Sequence, residues 1–109
     1  MAYDQALDNR IRDVVDHWEN VSAKKMFGGV CHLIAGNMFC GVYKKNLILR
    51  LGETQAAEAL GREHVKPFDI TGKAMKGWVM VEPQGADTRD ALLGWLKQAR
   101  NFVLTLPAK

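Results

Sequence analysis

Leu7, Ile11, Val14, Val15 and Trp18 recur at helical spacing. This predicts an amphipathic helix over residues 4–19 with one buried stripe. Asp4 suits its N-cap, and Asn20 suits a left-handed ending. From residue 25 to 51 the period shortens to that of strands. Gly36-Asn37 and Lys45-Asn46 each stand between short apolar runs and predict two-residue hairpin turns, hence a three-stranded antiparallel meander. Gly52 to Gly61 predicts a short helix closed by its last glycine. "VKPFDI" predicts an edge strand, because Pro67 cannot donate to a ladder, and "KGWVMVE" predicts a further strand. Asp87 is placed to cap a last helix carrying Leu92, Trp95, Leu96, Ala99, Phe102, Val103 and Leu106, stopped by Pro107. The order α-β-β-β-α-β-β-α, with hairpins and no crossover units, points to an α+β domain with helices packed on one face of an antiparallel sheet.

The hairpin register decides how the cysteines are read. With Gly36-Asn37 as the turn, Cys31, Leu33, Ala35, Met38, Cys40 and Val42 share one wholly apolar face. That face is then the core. The two thiols lie diagonally across it, about 7 Å apart rather than at the roughly 4 Å Cβ separation of a disulfide. Two buried, reduced, inert cysteines are expected. His32 points to the opposite face from Cys31, so the pair makes no nucleophile and base, and His17 and His64 lie in other elements, so no zinc set is expected.

The other face of the meander carries His32, Ile34, Phe39, Gly41, Tyr43, Ile48 and Arg50. Either Trp78 and Met80 or Val79 and Val81 join it. It is too apolar for a solvated surface and too mixed for a second core. His32, Ile34, Phe39, Tyr43 and Ile48 therefore form a candidate partner face, suited to a symmetric dimer, against the alternative of ordinary half-exposed sheet.

At 109 residues the chain is one domain, large enough to bury a core without staples. The opening MAYDQALDNR fits neither a signal nor a transit peptide, and no apolar run approaches the ~20 residues that cross a bilayer, so a cytoplasmic protein away from membranes is expected. Net charge is +3, unevenly spread: residues 1–20 hold five acids and two bases, whereas 21–51 hold five bases and no acid. Lys24, Lys25, Lys44 and Lys45 fall near one sheet end if the first strand runs straight through Gly28-Gly29. They form a candidate nucleic-acid contact, weak at most, against the alternative of a solvated, charged sheet end. Gly28-Gly29 after two lysines lacks the GxxxxGK[ST] spacing and no helix follows. A bulge or a close backbone approach explains it better than a phosphate cradle. No catalytic constellation and no cofactor motif emerges.

Several stretches match a known family: "MAYDQAL", "KKMFGGVCHLIAGNMFCGV", "LILRLG", "PFDITGKAMKGWVMV" and "LLGWLKQARNFVLTLPAK". The sharpest parts are Lys25-Met26-Phe27-Gly28-Gly29, Gly36-Asn37-Met38, Thr71-Gly72-Lys73 and Met75-Lys76-Gly77-Trp78. The chain resembles the N-terminal domain of the TfoX/Sxy regulators of natural competence, over its full length. The resemblance implies a two-layer α+β sandwich like that of secretion chaperones, a tendency to dimerise and a non-enzymatic role. Full-length members help the cyclic-AMP receptor protein at competence promoters and carry a second helical domain. The expectation is a stand-alone N-terminal domain. Met26, Phe27, Gly28, Gly29, Gly72, Lys76, Gly77 and Trp78 mark the family without an assigned role. Two classes of function stand ahead of the rest: an interaction module contacting a transcription factor or RNA polymerase, and a weak, non-specific DNA binder. A small-ligand pocket near Trp78 and Phe27 is a third alternative.

Overall fold

The computed structural model describes residues 3–26, 28–69, 72 and 75–108. Helix α1 (Gln5–Val15) is capped by Asp4, whose carboxylate accepts from the Leu7 N–H at 3.2 Å. Leu7, Ile11, Val14 and Val15 form its buried stripe. The helix stops four residues before the predicted end: Trp18 N–H returns to the Val15 carbonyl in a tight turn, and Asn20 takes the left-handed conformation at φ 61°. Trp18 still packs inward, its ring 6.0 Å from that of Phe39.

Four strands follow, one more than the two predicted turns allow: β1 (Val21–Met26), β2 (Gly29–Ile34), β3 (Asn37–Tyr43) and β4 (Asn46–Arg50). Helix α2 (Glu53–Ala59), β5 (Val65–Pro67), β6 (Trp78–Val81), a 3₁₀ turn (Pro83–Ala86) and α3 (Arg89–Val103) complete the chain. The six strands form one antiparallel sheet in the order β1-β2-β3-β4-β6-β5. Thr88, not Asp87, caps α3; its hydroxyl accepts from the Ala91 N–H at 3.1 Å. No helix among the described residues is long and apolar enough to cross a membrane.

Two cores lie on the two faces of this sheet. On the helix face, Leu7, Ile11 and Val14 of α1, Ala56 and Ala59 of α2, and Leu92, Trp95, Leu96, Ala99 and Val103 of α3 pack onto Val30, Ile34, Phe39, Cys40, Val42, Leu47, Leu49, Val79 and Val81. The α+β class with its helices on one face is as expected. The opposite face holds a smaller cluster of Ile48, Phe68 and Met80, with Met38, Tyr43 and Trp78 against it. The chain after β5 supplies its cover, with the Phe68 ring 5.9 Å from that of Trp78.

The first hairpin corrects the expected register. Its turn is Ala35-Gly36, with φ of 51° and 84°, and it pairs Ile34 with Asn37. Two consecutive positive φ angles are the signature of the hairpin turn whose twist matches its strands. Ala is an uncommon occupant there, so the residue types do not mark this pair, whereas Gly36-Asn37 was expected from its place between two short apolar runs. Asn37 is held elsewhere: its side chain donates to the Pro107 carbonyl at 2.9 Å. Moving the turn by one residue shifts the pairing by two, so Leu33 faces Met38 instead of Cys40 but the two still share a side. The bulge at Phe39, opposite His32/Leu33, is what changes the facing: beyond it Cys40 and Val42 share a side with His32 and Val30 rather than with Cys31 and Leu33. Cys40 and Val42 lie in the helix-face core as expected, so His32, Ile34 and Phe39 enter it and Cys31, Leu33 and Met38 lie on the other face.

Candidate functional site

The register puts a polar pair where an apolar one was expected. His32 on β2 and Asp8 on α1 are 1% and 0% exposed, and His32 Nε2 lies 2.6 Å from Asp8 Oδ1. Arg12, one turn further along α1, donates from Nε to Asp8 Oδ2 at 2.8 Å while its own side chain stays half-exposed. Burial pushes the Asp8 carboxyl up, but the hydrogen bonds from Arg12 and His32 and their charges outweigh it. The group sits below its ordinary 3.8. A hollow of about 210 Å³ lined by Arg12, Val15, Asp16, Trp18 and Ala23 adjoins His32.

Asp8 was readable and was missed. It lies three residues before Ile11 and seven before Val15, on the stripe that goes inward. An acid at a stripe position requires a buried partner.

The candidate partner face divides. His32, Ile34 and Phe39 are buried beneath the helices, because the bulge in β3 sets His32 and Val30 on the same side as Cys40 and Val42 and carries Phe39 inward. They form no partner surface. Tyr43 and Ile48 lie on the outer face; Ile48 is buried in the smaller cluster and Tyr43 packs against it. Trp78 and Met80 are the β6 residues that share this outer face, through the pairs Arg50–Trp78 and Ile48–Met80.

Both cysteines are free and buried, as expected, but on opposite faces rather than one. Cys31 pairs with Gly41 in the row of Ile48 and Met80, and Cys40 pairs with Leu49 in the row of Val79. Burial holds the Cys40 thiol well above its ordinary value, helped by Asp8 and Cys31, and raises Cys31 against the opposing pull of Lys24. Among the described residues no group of three or more His, Cys, Asp or Glu side chains comes together to hold a metal.

The four lysines do reach one end of the sheet, by a different route. Lys24 and Lys25 belong to β1, whose antiparallel hairpin with β2 turns at the same end as the turn between β3 and β4. That turn is Lys44-Lys45 rather than the expected Lys45-Asn46, because Asn46 pairs with Tyr43 and Lys44 takes the positive φ of 55°. Their directions diverge. Lys24 lies in the outer-face row with Cys31 and Gly41, and Lys25 in the helix-face row with Val30 and Val42. The Lys44 ammonium lies 5.5 Å from the centre of the Tyr43 ring, and the Lys44 carbonyl accepts from the Asp4 N–H at 2.6 Å.

Phe27, Thr71 and Lys73 lie outside the described residues. Of the other signature positions, Met26 ends β1, opposite Gly29. Gly28 has φ of 73°, and Gly29 is packed so closely on the Val42 carbonyl that a Cβ would overlap it. This is the close backbone approach expected of the pair. Gly72 is exposed with φ of 82°; its N–H returns to the Asp69 carbonyl. Lys76, Gly77 and Trp78 gather beside the start of α2, where the Gly77 carbonyl accepts from Leu51 and Gly52 at 2.8 and 3.1 Å. Arg50 joins them, its guanidinium 5.4 Å from the centre of the Trp78 ring and 5.9 Å from that of Phe102.

The family model for the TfoX N-terminal domain matches residues 13–103. No curated protein and no solved structure matches the chain.

Proposed function

Because the chain belongs to the TfoX N-terminal domain family, we propose that it is a non-enzymatic interaction domain that serves transcriptional regulation through protein contacts. The observation that carries this is the placement of His32. The acid–base pair buried among the described residues, Asp8 and His32, is closed under α1 and ties helix to sheet. A general base has to reach the proton it abstracts, and a ring 1% exposed supports a structural role instead. The surface offers features suited to partners. β1 is a six-residue edge strand with Ser22, Ala23, Lys24 and Lys25 exposed, and its outer edge is unpaired in the sheet order. Such an edge is a template for a further strand. A homodimer joined β1 to β1 continues the sheet, and the regulatory partner is a transcription factor or RNA polymerase acting on competence genes.

Crosslinking in the native cell followed by affinity capture and mass spectrometry tests this. Enrichment of a transcription regulator or polymerase subunits is expected. Their absence, together with turnover of a small substrate by the purified protein, would overturn it. The gathering of four lysines at one sheet end favours a second reading, direct and non-specific contact with DNA.

A further inference from the structure

Three large hydrophobic side chains stay exposed among the described residues: Leu60 and Met75, each 41%, and Leu104, 61%. Leu60 and Met75 belong to one groove. It runs between α2 and the segment leading into β6, has a volume of about 310 Å³, and is walled by Ala56, Ala57, Leu60, Pro67, Met75 and Trp78. Beyond the Trp78 ring it continues into a second hollow of about 200 Å³ against Arg50 and Phe102, and Glu53, Lys76, Gly77 and Trp78 line both. Gly52 and Gly77, each at φ of 86°, are packed backbone to backbone between them. The left-handed conformation at both positions favours glycine.

Arg50 has an aromatic ring near its guanidinium on two sides, yet neither it nor Lys76 makes a hydrogen bond or ion pair among the described residues. Among the described lining residues Glu53 is the one acid, and it pairs with neither. An apolar groove ending at two cations, neither paired among the described residues, is complementary to an apolar group joined to an anion.

We infer that this groove seats a short segment of a partner polypeptide in which a large apolar side chain lies close to a carboxylate. The apolar group enters between Ala57, Leu60, Met75 and Trp78, and the carboxylate meets Arg50 and Lys76. A guanidinium offers a carboxylate two parallel N–H donors, and neighbouring rings shield that pair from water. Shape favours a polypeptide over a small molecule. Small-ligand sites enclose about 70–90% of their ligand. This groove leaves Leu60 and Met75 exposed on its walls, and a chain continuing past the anchor covers both. The inference gives a location and a chemistry to the protein contacts proposed above, but it is tested with purified protein, so it can fail while cellular capture still succeeds.

The test is selection of displayed random dodecapeptides on the full chain, with counter-selection on Ala57→Trp, which fills the groove from an exposed helix position. Enrichment of sequences placing Leu, Phe or Trp within four residues of Asp or Glu is expected. A synthetic enriched peptide should lose about tenfold in affinity when its acid becomes the amide, the loss of one charged hydrogen bond. Lys76→Glu should weaken it comparably, and Ala57→Trp should abolish binding. Lys76 is exposed, so this variant tests the charge without disturbing the core. Enrichment of basic peptides, or peptides that bind Ala57→Trp equally well, would overturn the inference. So would a wild-type dimer that Ala57→Trp converts to monomer, since the occupant is then a second copy. Tight binding of 4-phenylbutyrate at Trp78 with no peptide enriched would overturn it in favour of a small carboxylate.

Discussion

His32 on β2 and Asp8 on α1 are joined at 2.6 Å across the layer between helix and sheet, and both are withdrawn from solvent. Removing one member of such a pair leaves the other buried without it. His32→Leu leaves a carboxylate still held by Arg12, so the cost falls at the lower end for a broken buried pair, about 3 kcal/mol. Asp8→Leu leaves an imidazole unpartnered, at about 2 kcal/mol. Replacing both with leucine should cost clearly less than the sum, because an apolar pair removes both desolvation penalties. Urea unfolding at unchanged m measures all three. Strict additivity would show that the two side chains act independently.

The same carboxylate sets an acid limit. Asp8 lies below its ordinary 3.8 in the folded protein because the hydrogen bonds and charges of Arg12 and His32 outweigh its burial. A group lowered on folding contributes stability above its unfolded value and loses it as pH falls through the folded one. Stability should therefore drop below about pH 4, and Asp8→Asn should flatten that limb while lowering the neutral plateau. Denaturant midpoints from pH 6 to pH 2 would show it. An unchanged acid limb in Asp8→Asn would assign the loss to other carboxylates.

The cysteines differ in place but agree in behaviour. Cys31 and Cys40 are buried on opposite faces of the sheet, so no movement short of unfolding one strand joins them. Burial raises both thiols, Cys40 the more. Since the thiolate is the reactive form, labelling of native protein by a disulfide reagent at pH 8 should be slow at both, and fast in denaturant. Mild oxidant should give no intramolecular disulfide. Rapid native labelling of Cys40 would contradict its place under the helices.

The helices and the sheet class were legible because periodicity reports burial directly. Leu7, Ile11, Val14 and Val15 mark one stripe, and α3 shows another. Facing within the meander was not legible, because it depends on one bulge. Ala35 takes a positive φ that its residue type disfavours, which moved the pairing by two residues without changing the faces, and the bulge at Phe39 leaves no mark in the apolar pattern. That bulge exchanged His32 for Cys31 in the core. β1 was also hidden: Ser22, Ala23, Lys24 and Lys25 of this edge strand are all exposed, so it shows no alternation to read. The groove at Trp78 depends on Leu60, Pro67 and Met75, which only the folded chain brings together.

The unpaired edge of β1 leads to the prediction of a homodimer at micromolar concentration. Light scattering should return twice 12.2 kDa. Hydrogen exchange should slow with concentration at the β1 amides and nowhere on β5, whose three residues and Pro67 make a poor edge for pairing. In antiparallel self-pairing centred between Ala23 and Lys24, Ser22 faces Lys25 and no lysine faces another. Ser22→Lys then sets like charges directly opposite and should shift the equilibrium to monomer. A wild type that stays monomeric at high concentration would remove the dimer and leave the edge for a different chain.

The lysines at the sheet end make the last prediction. Four phosphate contacts would give a slope of log K against log salt of roughly −3.6 on duplex DNA. The geometry lowers that figure. Lys24 and Lys25 are neighbours on one strand and lie in rows on opposite faces of the sheet. One duplex laid against this end meets one of them together with Lys44 and Lys45 from the adjoining turn. Three contacts give a slope of roughly −2.7. Binding should be weak, indifferent to sequence because lysines on phosphates position without specifying, and largely gone at physiological salt. Lys24→Glu with Lys45→Glu should abolish it, while Lys25→Glu alone should leave most of it, since Lys25 lies on the helix side. Fluorescence anisotropy with a labelled duplex across a salt series measures each slope. A double variant that binds with the wild-type slope would remove the lysines as the site. Wild type that fails to bind even at low salt would leave protein contacts as the domain's one mode of action.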